Sequence, residues 1–443
     1  MWGYYVALAL RSSARSKALT ALVIALLAFG VSACMVSYAV FRATTSDPIP
    51  AKSSHLYVPQ VDSFGPTINW NGNEPSPVLT YMDAIALWQA RKARRQTLLY
   101  PATWQMESDN QLIEAMPLGG DAVTSDFFPM FDVPFRFGAG WSPNDDAQHA
   151  TVAVISRRLN DKLFGGQNSV GREIRLDGKI FRIAGVLDNW NPKPRFFDIA
   201  SLGIPEIFGD TGDIYTPFTR AIDMKKGTKY DLCPSYSADL GISDWDKYLR
   251  SECTWIDAWV ELPTPTDVER YREFLRNYSE EQRRGGRFSW APNIRLRNLM
   301  EWMAHEHVTP KASTLSLLVS TSFLLIVMVN VVGLMLARFM RRAPEIGIRR
   351  ALGASRAAVY LQFLIEGATI GCAGGLLGVA LTLLGVWGAG GLFEPRIARI
   401  VHADASLIAL TVLLAVAATV ISALYPTWRA ARIQPAWQIK INS

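Results

Sequence analysis

Four apolar blocks decide what this chain can become: Ala18–Val40, Leu315–Ala337, Val359–Gly391 and Leu407–Leu424. Each can cross a hydrocarbon core of ~30 Å, which needs about 20 helical residues. Some 270 residues of ordinary water-facing composition separate the first block from the second. A purely soluble enzyme, a disordered chain and a collagen-like fibre are excluded. The fold class expected is an α-helical membrane protein with four transmembrane helices and a large α+β domain inserted between the first and second. The spans are set at 18–41, 312–337, 358–391 and 406–426, with the large domain at 42–311. A terminal segment 1–17, a loop 338–357, a short loop 392–405 and a tail 427–443 complete the order.

The net charge of +6 is unevenly placed. Met1–Lys17, Arg338–Arg356 and Thr427–Ser443 hold twelve Lys/Arg and a single acid, Glu345, leaving 33 basic against 38 acidic residues elsewhere. Basic flanks on alternate sides of the spans follow the positive-inside pattern, which puts both termini inside and the large domain outside. Because the basic excess is topogenic, nucleic-acid binding loses its support.

Of four cysteines, Cys34 and Cys372 lie in apolar blocks and read as small apolar residues. Cys233 and Cys253 fall in the outer domain, where an oxidising compartment such as a bacterial periplasm favours a disulfide between them. Val31-Ser32-Ala33-Cys34 resembles a lipoprotein cleavage box, but apolar residues continue past it through Phe41. That run is longer than the 7–15 residues of a signal-peptide core, so the block is read as a span.

Within the large domain, Thr80–Leu99 has a helical pattern and Thr151–Ile155 alternates as a strand. Ser156–Phe164 reads as a short helix ended by Gly165-Gly166, and Gly171–Leu176 with Lys179–Val186 forms a hairpin about Asp177-Gly178. Asp188–Asp231 is expected to be mostly loop with short strands. Trp255–Leu262 and Phe288–Leu299 read as strands around an amphipathic helix Asp267–Arg284 started by Thr266. These segments suggest two α+β lobes.

The usual chemical signatures do not occur. The sequence has no G-x-x-x-x-G-K-[ST] loop, so it does not itself cradle nucleotide phosphates, and no G-x-S-x-G elbow. His305 and His307 lack further ligands, so no metal site is assigned, and the acid pairs sit in polar surface contexts. No catalytic constellation emerges.

The informative stretch is Arg338–Arg356. Pro344 suits a first helical turn, Glu345 its positive end and Arg349 and Arg350 its other end. Gly353 can end that helix and Ser355 start the next. A short basic helix at the membrane face can bind anionic lipid or dock a soluble partner. Glu366 is an ionisable group inside the third block, for which packing or tethering near the inner interface fits better than proton relay. Gly371, Gly374, Gly375 and Gly378 form two small-xxx-small pairs that permit close helix contact, within one subunit or between subunits.

The run Glu345-Ile346-Gly347-Ile348-Arg349-Arg350-Ala351-Leu352-Gly353-Ala354-Ser355-Arg356, followed by Gln362–Gly367, closely resembles the FtsX-like permease signature of MacB-type ABC transporters. Asn330 and Gly333 before it, and Tyr425-Pro426 with Trp428-Arg429-Ala430-Ala431-Arg432 and Pro435 after it, are similar to the same family. Val154–Ser156, Leu163–Gly166, Val170-Gly171 and Gly185–Leu187 resemble its periplasmic core domain. The resemblance implies a permease subunit of a bacterial inner membrane, multi-pass, working as a dimer with itself or a paralogous permease. Two copies of a separate ABC ATPase would carry the ATP and Mg, with no cofactor on this chain. A periplasmic adaptor or effector protein would complete the assembly. Pro344–Leu352 would be the coupling helix, with Glu345, Arg349 and Arg350 docking the ATPase and Ile346 and Leu352 packing on it. The expected function is mechanotransmission for export or extraction of periplasmic or membrane cargo. Alternatives are lipoprotein release, activation of a periplasmic cell-wall hydrolase, and a receptor or adhesion domain on a four-helix anchor.

Overall fold

A computed structural model describes residues 16–66, 73–107, 115–203, 206–234, 244–388, 401 and 403–431. Most of the 1–17 flank, most of the 392–405 loop, and Arg432 and Pro435 of the final motif lie outside the described residues. Two compact units divide the chain: Met1–Ser46 with Thr309–Ser443, and Asp47–Val308.

In chain order the principal helices are α1 (Lys17–Thr45), α2 (Tyr81–Ala90), α3 (Arg157–Phe164), α4 (Pro265–Arg284), α5 (Leu299–His305), α6 (Lys311–Met340), α7 (Ala343–Ala351), α8 (Arg356–Trp387) and α9 (Ala405–Ala431). The strands are β1 (Leu56–Val61), β2 (Leu79–Thr80), β3 (Arg95–Glu107), β4 (Met116–Val123), β5 (Phe135–Gly138), β6 (Val152–Ile155), β7 (Glu173–Leu176), β8 (Lys179–Leu187), β9 (Ile214–Pro217), β10 (Thr254–Glu261) and β11 (Ile294–Asn298).

In the first unit, α1, α6, α8 and α9 are 29, 30, 32 and 27 residues long and apolar enough to cross a membrane. At 1.5 Å per residue each exceeds the ~30 Å hydrocarbon thickness. Their shared core includes Leu27, Val331, Phe339, Phe363 and Ala418. Cys34 sits within α1, which continues to Thr45.

The second unit is built on one hydrogen-bonded sheet that partly closes on itself. β3 pairs with β4, β4 with β9, β9 with β6, β6 with β8, β8 with β7, and β7 returns to β3. Along the second half of β3, Tyr100, Ala102, Trp104 and Met106 are buried while Thr103, Gln105 and Glu107 are exposed. That period-2 alternation supplies the ring's apolar side chains, including Trp104 packed edge-on against Phe181 at 5.8 Å. The first half of β3 pairs with β10, which continues through β1 to β11 as an antiparallel sheet. Helix α4 contributes Val268, Tyr271, Leu275 and Tyr278, spaced three and four apart, to the same apolar core.

Three local expectations are corrected. The helix read over Thr80–Leu99 stops at Ala90, and Arg91 turns left-handed at φ 49°. Gln96 closes that end: its Nε2 donates to the Leu87 and Trp88 carbonyls while its Oε1 accepts from the Lys92 and Ala93 amides. The chain can then leave as β3. Helix α4 is capped by Thr264, which accepts from the Asp267 amide at 3.2 Å, with Pro265 in the first turn, so Thr266 is not the cap. The two lobes are not separate, because the ring and the open sheet share β3. The 151–187 region follows its pattern, with Ser156 capping α3, Gly165 left-handed after it, and Asp177-Gly178 at φ 46° and 75° in the hairpin turn.

Candidate functional site

Helix α7 begins with Pro344 in its first turn beside Glu345 and ends with Arg349 and Arg350. Gly353 follows at φ +100°, a left-handed conformation that glycine adopts without a Cβ clash, and Ser355 then caps α8 through the Ala358 amide at 3.2 Å. The inward side of α7 is fixed. Ile346 is 4% exposed and packs into the core of the chain's own spans, so it is not a partner-facing residue as the sequence suggested. Its amphipathic period instead leaves Pro344, Ile348, Ala351 and Leu352 exposed at i, i+4, i+7 and i+8. Ile348 is 61% and Leu352 83% exposed. The sequence carries a signal for Ile348 in that spacing, although charged residues stand on either side of it.

Ion pairs tie the helix to the spans. Glu345 Oε1 accepts from Arg349 Nη2 at 2.7 Å, and its Oε2 lies 3.6 Å from Arg342 Nε. Arg349 Nη1 also donates to Gln362 Oε1 on α8 at 3.3 Å. Arg342 reaches Glu366 Oε2 at 3.0 Å, and Arg338 reaches Glu366 Oε1 at 2.6 Å. Arg338 Nη1 donates in turn to Thr20 Oγ1 of α1 at 2.9 Å. One polar chain therefore runs from α7 into α6, α8 and α1. The sequence flagged Glu366 but not Arg338 or Arg342, whose charges were absorbed into the topogenic count.

The α8 glycines face two neighbours. A Cβ at Gly371 would lie 3.0 Å from Val416 Cα, and one at Gly375 3.3 Å from Val412 Cα, both on α9. Gly374 and Gly378 face Leu27 and Ala28 of α1 at 3.5 and 3.7 Å. All four contacts are within the chain. Asn330 is exposed on α6, and a Cβ at Gly333 would meet nothing within 4 Å. In the large domain Cys233 and Cys253 are disulfide-bonded, and Leu232 and Thr254 exchange backbone hydrogen bonds of 2.9 Å beside them. Among the described residues no group of three His, Cys, Asp or Glu could hold a metal ion.

Four apolar spans, an α+β domain between the first two and a tethered basic helix between the second and third define a permease-type membrane protein. Residues 20–278 match the MacB-like periplasmic core domain, and residues 317–435 the FtsX-like permease C-terminal region. The chain belongs to the MacB-like, FtsX-type permease family of ABC transporters.

Among its relatives, the macrolide export ATP-binding/permease protein MacB of Azoarcus sp. is 26% identical over 85% of this chain and 50% of its own length. MacB of Wolinella succinogenes is 27% identical over 63% of this chain and 40% of its own. The pyoverdine export ATP-binding/permease protein PvdT of Pseudomonas syringae pv. syringae is 26% identical over 75% and 45%. The chain thus spans half or less of the length of these curated relatives. The crystal structure of the periplasmic region of MacB from Actinobacillus actinomycetemcomitans aligns with 57% of this chain and 92% of that one, at 11% identity and a TM-score of 0.35.

Proposed function

We propose that this chain is the mechanotransmission subunit of an ABC exporter, driven by an ATPase that seats on α7. The observation that carries the reading is the exposed Pro344–Ile348–Ala351–Leu352 stripe on a helix whose opposite side is locked to the spans. An apolar face left open on an anchored helix suits a protein groove, the helix-in-groove mode of recognition. Movement of that groove would pull on Glu345 and Arg342 and so on Glu366, Arg338 and three spans. Two ATPase copies, holding ATP and Mg, would serve a dimer of this chain or of this chain with a paralogous permease. The basic flanks support an inner-membrane placement with cytoplasmic termini and a periplasmic large domain. The export functions in the names of MacB and PvdT favour a periplasmic or membrane cargo and a periplasmic adaptor or effector.

The test is purification of the tagged chain from native membranes in mild detergent. A Walker-A ATPase should copurify with the parent chain and with Gly378→Ala. It should be lost from Ile348→Asp, and coupled ATPase activity should vanish in Arg349→Glu with the membrane assembly intact. Recovery of no ATPase from the parent chain, or undiminished recovery with Ile348→Asp, would overturn the assignment.

A further inference from the structure

A cleft of about 690 Å³ opens in the large domain over the β3–β4 ladder. Its floor pairs Ala102 and Thr103 with Gly120 and Gly119. The two glycines do different things. A Cβ at Gly120 would lie 1.8 Å from the Ile214 carbonyl oxygen, so that residue lets β9 approach, whereas a Cβ at Gly119 would meet no atom within 4 Å. The hollow is therefore space that glycine leaves open. Arg158 and the segment Asp210–Asp213 form one wall, and Lys225–Tyr230 the other.

Most of the charge around this hollow is compensated. Arg158 pairs with Asp213 at 2.9 Å and Asp210 at 3.6 Å, Arg195 pairs with the buried Asp121 and Asp198, and Lys226 pairs with Asp177 at 2.7 Å. Lys225 and Lys229 remain, both exposed at the rim and without an ion-pair partner among the described residues. Lys225 also stands at φ +54°, ending the one-turn helix Phe218–Asp223 by donating its amide to the Ile222 carbonyl at 2.9 Å. Glycine is the usual occupant of such a left-handed position, and a lysine there accepts backbone strain while keeping an ammonium group beside the cleft.

We propose that this cleft binds a small soluble dianion of the phosphate monoester or dicarboxylate class, held between the Lys225 and Lys229 ammonium groups over the Gly119 floor. Two uncompensated cations match two negative oxyacid charges, and the volume lies within the 300–1,000 Å³ typical of small-molecule sites. The proposal is independent of α7 and of any ATPase, so the two stand or fall separately.

The experiment is calorimetric titration of the full chain in phosphatidylcholine nanodiscs with glycerol 3-phosphate and with succinate, at low and high salt. Saturable binding of at least one dianion is expected, weakening as salt rises. The double variant Lys225→Gln/Lys229→Gln should weaken it at least tenfold, and Lys179→Gln at the hairpin tip should not. Gly119→Leu should abolish binding by filling the hollow, with the melting temperature retained. Absence of saturable binding by both dianions would overturn the proposal, as would binding that survives both the double-lysine and Gly119→Leu changes. Binding only to nanodiscs doped with phosphatidic acid would replace the soluble ligand with a lipid headgroup.

Discussion

A carboxylate deep in an apolar helix persists when its charge is met by a partner and hydrogen bonds. Glu366 is 1% exposed and lies against Arg338, itself 2% exposed, with Arg342 on its second oxygen. Removing one partner of such a buried pair costs more than the pair contributes, because the survivor keeps its desolvation penalty. Glu366→Gln is expected to lower stability by about 3 kcal/mol, read as a fall in the thermal midpoint of the detergent-solubilised chain. Replacing both groups, as in Glu366→Leu/Arg338→Met, should recover much of that loss. An unchanged midpoint in Glu366→Gln would mean that the network contributes no net stability. At this scale the sequence shows the anomaly and not its solution, since Arg338 and Arg342 meet Glu366 only after α7 turns the chain back.

At the scale of the element, α8 acts as a two-sided spacer. Gly371 and Gly375 face α9, where substituent atoms would press on backbone, and Gly374 and Gly378 face α1 with ordinary contact distances. Gly371→Val should therefore destabilise the bundle by about 2 kcal/mol, the usual range for overpacking, while Gly378→Ala should be nearly neutral. Comparing the fraction of monodisperse protein after heating would decide, and equal behaviour of the two variants would contradict the packing described. Spacing alone identified the glycines but could not say which helix each one meets. The same restriction explains α2 and β3. Leu98 and Leu99 extend a helical pattern on paper, but Gln96 satisfies the carbonyls and amides that a continuing helix would have used. By contrast the hairpin at Asp177-Gly178 and the cap at Ser156 were legible, because their chemistry is local.

For the whole molecule, the large domain carries several acids that burial holds in the protonated direction. Glu306 is raised to about 7, and Asp146 and Asp257 are also raised. Asp121 and Asp198, which share the Arg195 guanidinium, are raised too, with burial the leading cause. Through these acids the folded domain retains protons that an unfolded chain releases above about pH 4, and their contribution to its stability falls as pH rises between roughly pH 5 and 8, while His305, held low by burial, contributes in the opposite direction. Acids held low, such as Glu74, Asp145 and Asp210, reverse the slope only on further acidification. Urea unfolding of the full chain followed by tryptophan fluorescence should give midpoints that decrease from pH 5 to pH 8, with Glu306→Gln flattening the part below about pH 7. Midpoints that rise over this interval would refute the buried-proton account. The membrane architecture was readable because twenty-residue apolar blocks have few other uses. The ring and its shared strand were not, because pairings such as Gly120 with Ile214 join segments far apart in sequence.

That closure has a consequence for how the domain comes into being. β3 and β4 emerge early, yet the ring cannot shut until β9 has followed β6, β7 and β8 and slipped in parallel beside β4. Until Ile214–Pro217 arrives, one edge of β4 presents unused amides and carbonyls to any passing strand. Closure of the ring is thus a late, non-local pairing, and the β4 edge stays open to other strands until β9 docks along it.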